Sequence, residues 1–243
     1  MPDTLKSELL EAAGQVRGLL EDLDRLGVAE LTMPVIAADL PRCPPRVRGV
    51  DEGGEAACRR ETLEEIRADL EDCRRCPLCK GRKTIVFGVG NPHARLVLVG
   101  EAPGREEDEK GEPFVGEAGR LLDRVLAAMG MSRDEVYICN VEKCRPPGNR
   151  DPQPEEIDAC EPFLKRQLAA IRPQLIVTLG RFAAQSLLRE KTAISRLRGQ
   201  WREYESIPLM PTYHPAFLLR NPLAKREVWE DMKKVVARLR ETG

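Results

Sequence analysis

The sequence predicts an α/β domain in which a mostly parallel sheet is covered by helices on both faces. Four short runs, Leu96–Val99, Val136–Asn140, Leu175–Leu179 and Ile207–Thr212, are rich in β-branched or aliphatic residues and lack the alternation of a half-solvated strand. Between and after them lie segments with helical spacing: Leu121–Met129, Pro154–Ile171, Arg181–Leu188 and roughly Pro222–Arg240. Strand ends add a third observation. Glu101 lies just past the first strand, Asn140 ends the second, and His214 follows the fourth in T-Y-H-P-A-F-L-L-R-N-P. In open α/β sheets ligands bind beyond the carboxyl ends of the strands, so these polar residues converge on one candidate site.

The elements follow in order. Residues 4–26 place Leu5, Leu9, Val16, Leu19, Leu20, Leu23 and Leu26 at helical spacing, with Gly27 as the stop. Residues 31–57, rich in proline, glycine and mixed charge, read as a linker. Residues 1–60 are therefore expected to be an amphipathic helix and linker, and residues 61–243 the main domain. A second helix opens at Thr62 with Glu65 three residues on, the capping-box pattern, and runs to about Asp72. K-T-I-V-F-G-V-G-N is extended and ends in a turn. The first strand breaks at Gly100 and leads through Pro103-Gly104 into an acidic loop that carries Phe114.

Composition narrows the function classes. The 243 residues suffice for one substantial core or a domain with an appendage. Only 4% are aromatic and 33% are charged, so the core is aliphatic and the surface polar. No apolar run approaches membrane-spanning length, and M-P-D-T-L-K-S-E lacks the form of a signal peptide. A cytoplasmic monomer without membrane contact is expected. A net charge of -1 gives no global pull toward nucleic acid, so any such binding needs a local basic face.

Eight cysteines in a reducing compartment argue against a disulfide framework. Cys73 and Cys76 are spaced C-x2-C at a helix end; Cys144 follows the second strand and Cys160 sits in the next helix. Two close thiolates and two distant ones can enclose a zinc ion or a [4Fe-4S] cluster, and spacing does not choose between these and plain reduced thiols. Cys79 extends the motif to C-x2-C-x2-C and competes as a ligand. Cys139 reads as a core thiol, and Cys43 and Cys58 as linker residues.

Taken together, C-R-R-C-P-L, G-V-G-N, V-G-E-A-P-G-R-E-E-D, G-E-P-F-V-G-E-A-G-R-L-L-D, V-Y-I-C-N-V-E-K-C-R-P-P-G-N-R, E-I-D-A-C-E-P-F-L, L-R-G and P-T-Y-H-P-A-F-L-L-R-N-P resemble the family-4, iron–sulfur branch of the uracil-DNA glycosylase superfamily. The motifs run in order over residues 61–243. The branch that crosslinks covalently to DNA has Gln after the motif glutamate, where Ala102 stands here. The resemblance implies a three-layer α/β/α sandwich with a four-stranded parallel sheet. It also implies a [4Fe-4S] cluster on Cys73, Cys76, Cys144 and Cys160, with Cys79 left out.

The implied activity is release of uracil from DNA by hydrolysis of its N-glycosidic bond, which requires the nucleotide to be flipped from the stack. Phe114 would stack on the base, or else pack in the core. Asn140 can match the O4/N3–H edge of uracil, and cytosine presents the reverse pattern. By resemblance Glu107 is the wall against the thymine methyl; in an acidic run it reads equally as a solvated charge. His214, with the Ala102 backbone N–H, would donate to the uracil O2 as charge develops there. Glu101 would orient or activate water. Phe217 or Leu218 would enter the gap left by the base. Arg220, with Arg145, Arg150, Arg198 and Lys225, would line the phosphates, and Lys143 is expected to meet phosphate rather than form a Schiff base. A non-catalytic DNA-binding protein on the same fold is the competing class, and retention of Glu101, Asn140 and His214 speaks against it.

Overall fold

The structure, a computed structural model, describes residues 61–241. The helix and linker expected within residues 1–60 lie outside the described residues. The chain runs α1 (Leu63–Leu70), β1 (Val89–Gly90), β2 (Leu96–Gly100), α2 (Arg105–Lys110), α3 (Glu117–Ala128), β3 (Tyr137–Asn140), α4 (Pro154–Ile171), β4 (Leu175–Leu179), α5 (Arg181–Leu188), α6 (Ile194–Leu197), β5 (Arg202–Tyr204), β6 (Ile207–Thr212), α7 (Pro215–Arg220) and α8 (Lys225–Glu241). Short 3-10 turns occupy Pro77–Lys80, Pro147–Asn149 and Pro222–Ala224.

The sheet has six strands in the order β1-β3-β2-β4-β6-β5. The four expected strands β3, β2, β4 and β6 pair in parallel at its centre. The two additional strands are edges, β1 antiparallel to β3 and β5 antiparallel to β6. Both are too short to leave a periodicity in the sequence.

The side chains of the central strands divide between two layers of helix. Leu96, Leu98, Ile138, Val177 and Met210 face α3, α7 and α8, meeting Leu122, Leu126, Leu218, Met232 and Val235. On the other face Val97, Val99, Ile176 and Leu209 meet Leu164 and Leu168 of α4 and Ala183 and Leu187 of α5. All five residues of β2 and of β4 are buried, which explains their continuous apolar character. The chain leaves β2 for α3 on one face and leaves β4 for α5 on the other. The carboxyl ends of these neighbouring strands therefore form the crevice at which an α/β sheet holds its ligand.

α1 lies outside α4, with Ile66 and Leu70 packed on Phe87 and Phe163. Its capping box is complete: the Glu65 N–H donates to Thr62 Oγ1 at 3.3 Å and the Thr62 N–H to the Glu65 carboxylate at 2.9 Å. Among the described residues no helix is long and apolar enough to cross a membrane. Thr62→Ala is expected to lower stability by about 1 kcal/mol, read as a shift of the denaturant midpoint at constant slope.

Candidate active site and thiol centre

Two glycines set the spacing of the site. Gly100 ends β2, and a Cβ built there would lie 2.3 Å from Asn140 Oδ1 and 2.6 Å from the Phe114 ring. Only a residue without a side chain lets the amide and the ring approach so closely. Gly180, at φ 96° after β4, plays the same part for His214, whose Cβ would meet an added Cβ at 2.9 Å. Backbone pairing continues beyond the strands: the Val141 and Glu142 N–H groups donate to the Gly100 and Glu101 carbonyls, each at 3.0 Å. Glu101, Phe114, Asn140 and His214 are thus gathered at one edge of the sheet.

Asn140 is buried, and its Oδ1 has no hydrogen-bond partner within the protein. A buried amide oxygen left unpaired costs about 1–3 kcal/mol, so this atom requires a donor from a ligand or from water. Beside it Phe114 is 6% exposed, and its ring centroid lies 5.5 Å from that of His214, tilted by 31°. Phe114 has φ 54°, in the left-handed region, and is held there from two sides. Its carbonyl presses on α3, where a Cβ at Gly119 would lie 1.8 Å away. Glu107 Oε1 accepts the N–H groups of Val115 at 3.0 Å and Gly116 at 3.1 Å.

His214 is half-buried and caps α7, its Nδ1 accepting the Ala216 N–H at 3.1 Å. An Nδ1 that accepts leaves the proton of the neutral ring on Nε2. Burial drives its pKa down to about 4; the Glu107 carboxylate opposes this and the Arg220 charge adds to it. At neutral pH the side chain is therefore an uncharged Nε2–H donor. Glu101, half-buried, moves the other way for the same reason. Burial pushes it up to about 7, the Asp151 charge adds to the rise, and Arg181 at the start of α5 opposes it. Ala102 stands in the turn before α2, half-exposed.

Several expected residues are placed differently. Leu218 is 2% exposed and belongs to the core between sheet and α7, so it cannot leave the protein to enter a base stack. The segment read as a loop is helix α7, which turns Leu218 inward and leaves Phe217 half-exposed against Tyr213, with ring centroids 4.8 Å apart. The acidic stretch after β2 is helix α2, and its Asp108 is buried, accepting the Lys83 N–H at 2.8 Å. Arg198 is bound to Asp231 and Arg150 to Glu156, so neither is a free cation for phosphate. Lys143 is fully buried, its Nζ donating to the Asn140 carbonyl, and cannot meet phosphate. Arg220 remains exposed.

Four residues were not singled out from the sequence. Leu223 is 94% exposed, three residues along the chain from both Arg220 and Arg226; its place after Asn221-Pro222, a turn signal, was the available sign. Arg75 and Arg82 donate to sulfur, from Nη1 to Cys73 Sγ at 3.5 Å and to Cys144 Sγ at 3.4 Å. Glu142 is fully buried with both carboxylate oxygens unpartnered, and burial pushes it up to about 8, so it adds no second negative charge beside Glu101 at neutral pH.

Cys73 and Cys76 in the segment after α1, Cys144 in the segment after β3, and Cys160 in α4 lie near enough to influence one another's charge. The Cys76 and Cys160 thiols are close enough to titrate as a pair: sharing a proton with Cys160 draws Cys76 down to about 6, and the same pairing with burial pushes Cys160 up. Burial pushes Cys144 up to about 11, against the pull of Arg82. Cys79 is half-buried in the 3-10 turn, and Cys139 is buried within β3. Among the described residues no three His, Cys, Asp or Glu side chains stand at the spacing of a single metal ion.

A mixed sheet with a four-stranded parallel centre, and a crevice lined by Glu101, Phe114, Asn140 and His214, define the class. The sequence pattern described as the Uracil DNA glycosylase superfamily matches residues 87–233, and the chain belongs to that superfamily. Among curated proteins it is 50% identical over 183 residues to the Type-4 uracil-DNA glycosylase of Archaeoglobus fulgidus, covering 72% of this chain and 92% of that one. It is 43% identical over 191 residues to the Type-4 uracil-DNA glycosylase of Thermotoga maritima, covering 76% and 98%. A Type-5 uracil-DNA glycosylase of Pyrobaculum aerophilum is 30% identical over 185 residues. Within the superfamily this chain is a member of the type-4 family.

The hydrogen bonds to Glu107 make it a clamp on the Phe114 loop. Glu107→Ala should accelerate hydrogen exchange at the Val115 and Gly116 amides by about tenfold or more, the consequence of losing about 1–3 kcal/mol of pairing there. Unchanged protection at both amides would show that the carboxylate does not hold the loop.

Proposed function

We propose that residues 61–243 form a monofunctional uracil-DNA glycosylase that acts as a cytoplasmic monomer, releases free uracil and leaves an abasic site. The observation that carries this reading is the buried, unpartnered Asn140 Oδ1 facing the same space as the Phe114 ring and the His214 imidazole. Uracil N3–H supplies the donor that this oxygen lacks, and the amide N–H in turn meets O4. Cytosine offers an acceptor at N3 and would leave two acceptors facing each other without a proton between them. Phe114 stacks on the extruded ring, and Glu107, close enough to influence His214, closes the pocket on the side of the C5 methyl.

As the glycosidic bond breaks, negative charge grows on the uracil O2. The His214 Nε2–H and the Ala102 backbone N–H are the donors that receive it. A neutral donor fixed by its Nδ1 acceptance requires no reorganisation during the step. Glu101, ionised above about pH 7, takes up the proton of the attacking water and faces the positive sugar. On the DNA side, Phe217 and the exposed Leu223 are the apolar contacts and Arg220 meets phosphate; Leu218 has no part in it.

Cys73, Cys76, Cys144 and Cys160 are the proposed ligands of a [4Fe-4S] cluster. The all-sulfur donor set, with Arg75 and Arg82 donating to it, suits a thiolate-held anionic group. When bound, the cluster serves structure, tying the end of α1 to the segment after β3.

An excision assay on matched oligonucleotides containing U, T or C, with metal content counted on the same preparation, tests the reading. Release of uracil alone is expected, with about four irons per chain. A preparation that binds DNA but frees no base would reassign the protein to the non-catalytic class, and one zinc per chain would replace the cluster. Asn140→Ala should lower uracil excision by about a hundredfold or more, as loss of a base-reading hydrogen-bond pair does. In single turnover the excision rate should climb as pH rises through about 7, where Glu101 loses its proton, and should be insensitive to His214 until near pH 4. Glu101→Gln should remove that climb.

A further inference from the structure

Lys143 is the fully buried cation among the described residues, and it meets carbonyl oxygens where a carboxylate would be expected. Its Nζ donates to the Asn140 main-chain carbonyl at 2.6 Å and to Gln167 Oε1 at 2.7 Å. Gln167, buried in α4, is itself held fast, its Nε2 donating to the Phe87 carbonyl at 3.0 Å and to the Tyr137 hydroxyl at 3.2 Å. Lys143 is followed in the chain by Cys144, which is buried like it. One residue therefore joins the strand end that carries Asn140 to the helix behind it.

Burying an amine is costly, and an aliphatic side chain of similar length would fill the same volume without that cost. What an aliphatic chain would not do is satisfy the Asn140 carbonyl at the last residue of β3. We propose that Lys143, braced by Gln167, is a positioning residue for Asn140: it fixes the strand end so that the amide meets the base edge at the right distance. This rests on the reading of the site as a uracil pocket. Without the amine, the Asn140 carbonyl and Gln167 Oε1 are left unpaired in a dry interior. The strand end then relaxes toward other partners, and a shift well under the length of a bond is enough to spoil alignment.

The test uses the full chain with its iron, as Lys143→Met, Asn140→Ala and the double variant. Lys143→Met should slow single-turnover uracil excision by about ten- to hundredfold. Its affinity for duplex DNA with an abasic-site analogue, which has no base to read, should stay unchanged, as should its iron content. In the Asn140→Ala background the same change should have no further effect, because the group it positions is gone. Wild-type excision by Lys143→Met, or losses that multiply in the double variant, would overturn the proposal. Should Lys143→Met fail to fold, Gln167→Leu takes its place in the same cycle, with the same non-additivity expected and additivity again decisive. A wild-type protein that frees no uracil would sink the pocket reading itself, an outcome distinct from a working enzyme indifferent to Lys143.

Discussion

The site depends on how closely three main-chain segments approach one another at the carboxyl edge of the sheet. Gly100 is the narrowest point, since any side chain there would overlap both the Asn140 amide and the Phe114 ring. Gly119 does the same for the Phe114 carbonyl and Gly180 for His214. Each glycine stands where a polar or aromatic group from another element must pass. A parallel sheet makes such crowding useful, because its strands end at one edge and deliver their following residues into the same crevice.

Much of this was legible in the sequence because burial on both faces leaves continuous apolar strands. Leu175–Leu179, Ile207–Thr212, Pro154–Ile171 and Arg181–Leu188 have the bounds read from periodicity and helix-start signals. The elements missed are short. α2 and α7 have six residues each, too few to show a period, and their proline-glycine and histidine-proline openings resemble turns. Leu218 was misplaced for that reason: a residue in a loop can point outward, while the same residue on a helix packed against the sheet is committed to the core. Lys143 was misread for a different reason. A lysine is exposed in most proteins, and nothing in K-C-R-P-P announces that its amine will find two carbonyl oxygens in the interior.

One physical cause, removal of water, gives the two polar side chains of the proposed chemistry opposite shifts. It lowers His214 because the cation is the form that loses hydration, and raises Glu101 because the anion is. A single dry crevice thereby yields an uncharged donor and a carboxylate whose ionisation lies near neutrality. Separate charge partners would be a more fragile way to reach the same pair of states, since Asp151 and Arg181 near Glu101 are largely exposed and paired with one another.

The two sides of the crevice are built to different degrees of rigidity, and that follows from what each must recognise. Toward the interior, the strand end proposed to meet the base edge has its carbonyl, amine and amide partners all buried; a fixed hydrogen-bond pattern can distinguish uracil from cytosine only if neither side can rearrange. Toward solvent, Phe217, Arg220 and Leu223 stand on α7 and the turn that follows it. On the proposed reading DNA of any sequence is accepted there, and apolar contact and charge serve that better than directed bonds. The cysteines lie on the rigid side: Arg82 links Cys144 to the Cys73 carbonyl, and Lys143, next to Cys144 in the chain, holds the Asn140 carbonyl with its amine. The Arg82 bonds and the Lys143 amine therefore place the cysteines and the Asn140 strand end in one buried, polar-tied region, apart from the exposed end of α7.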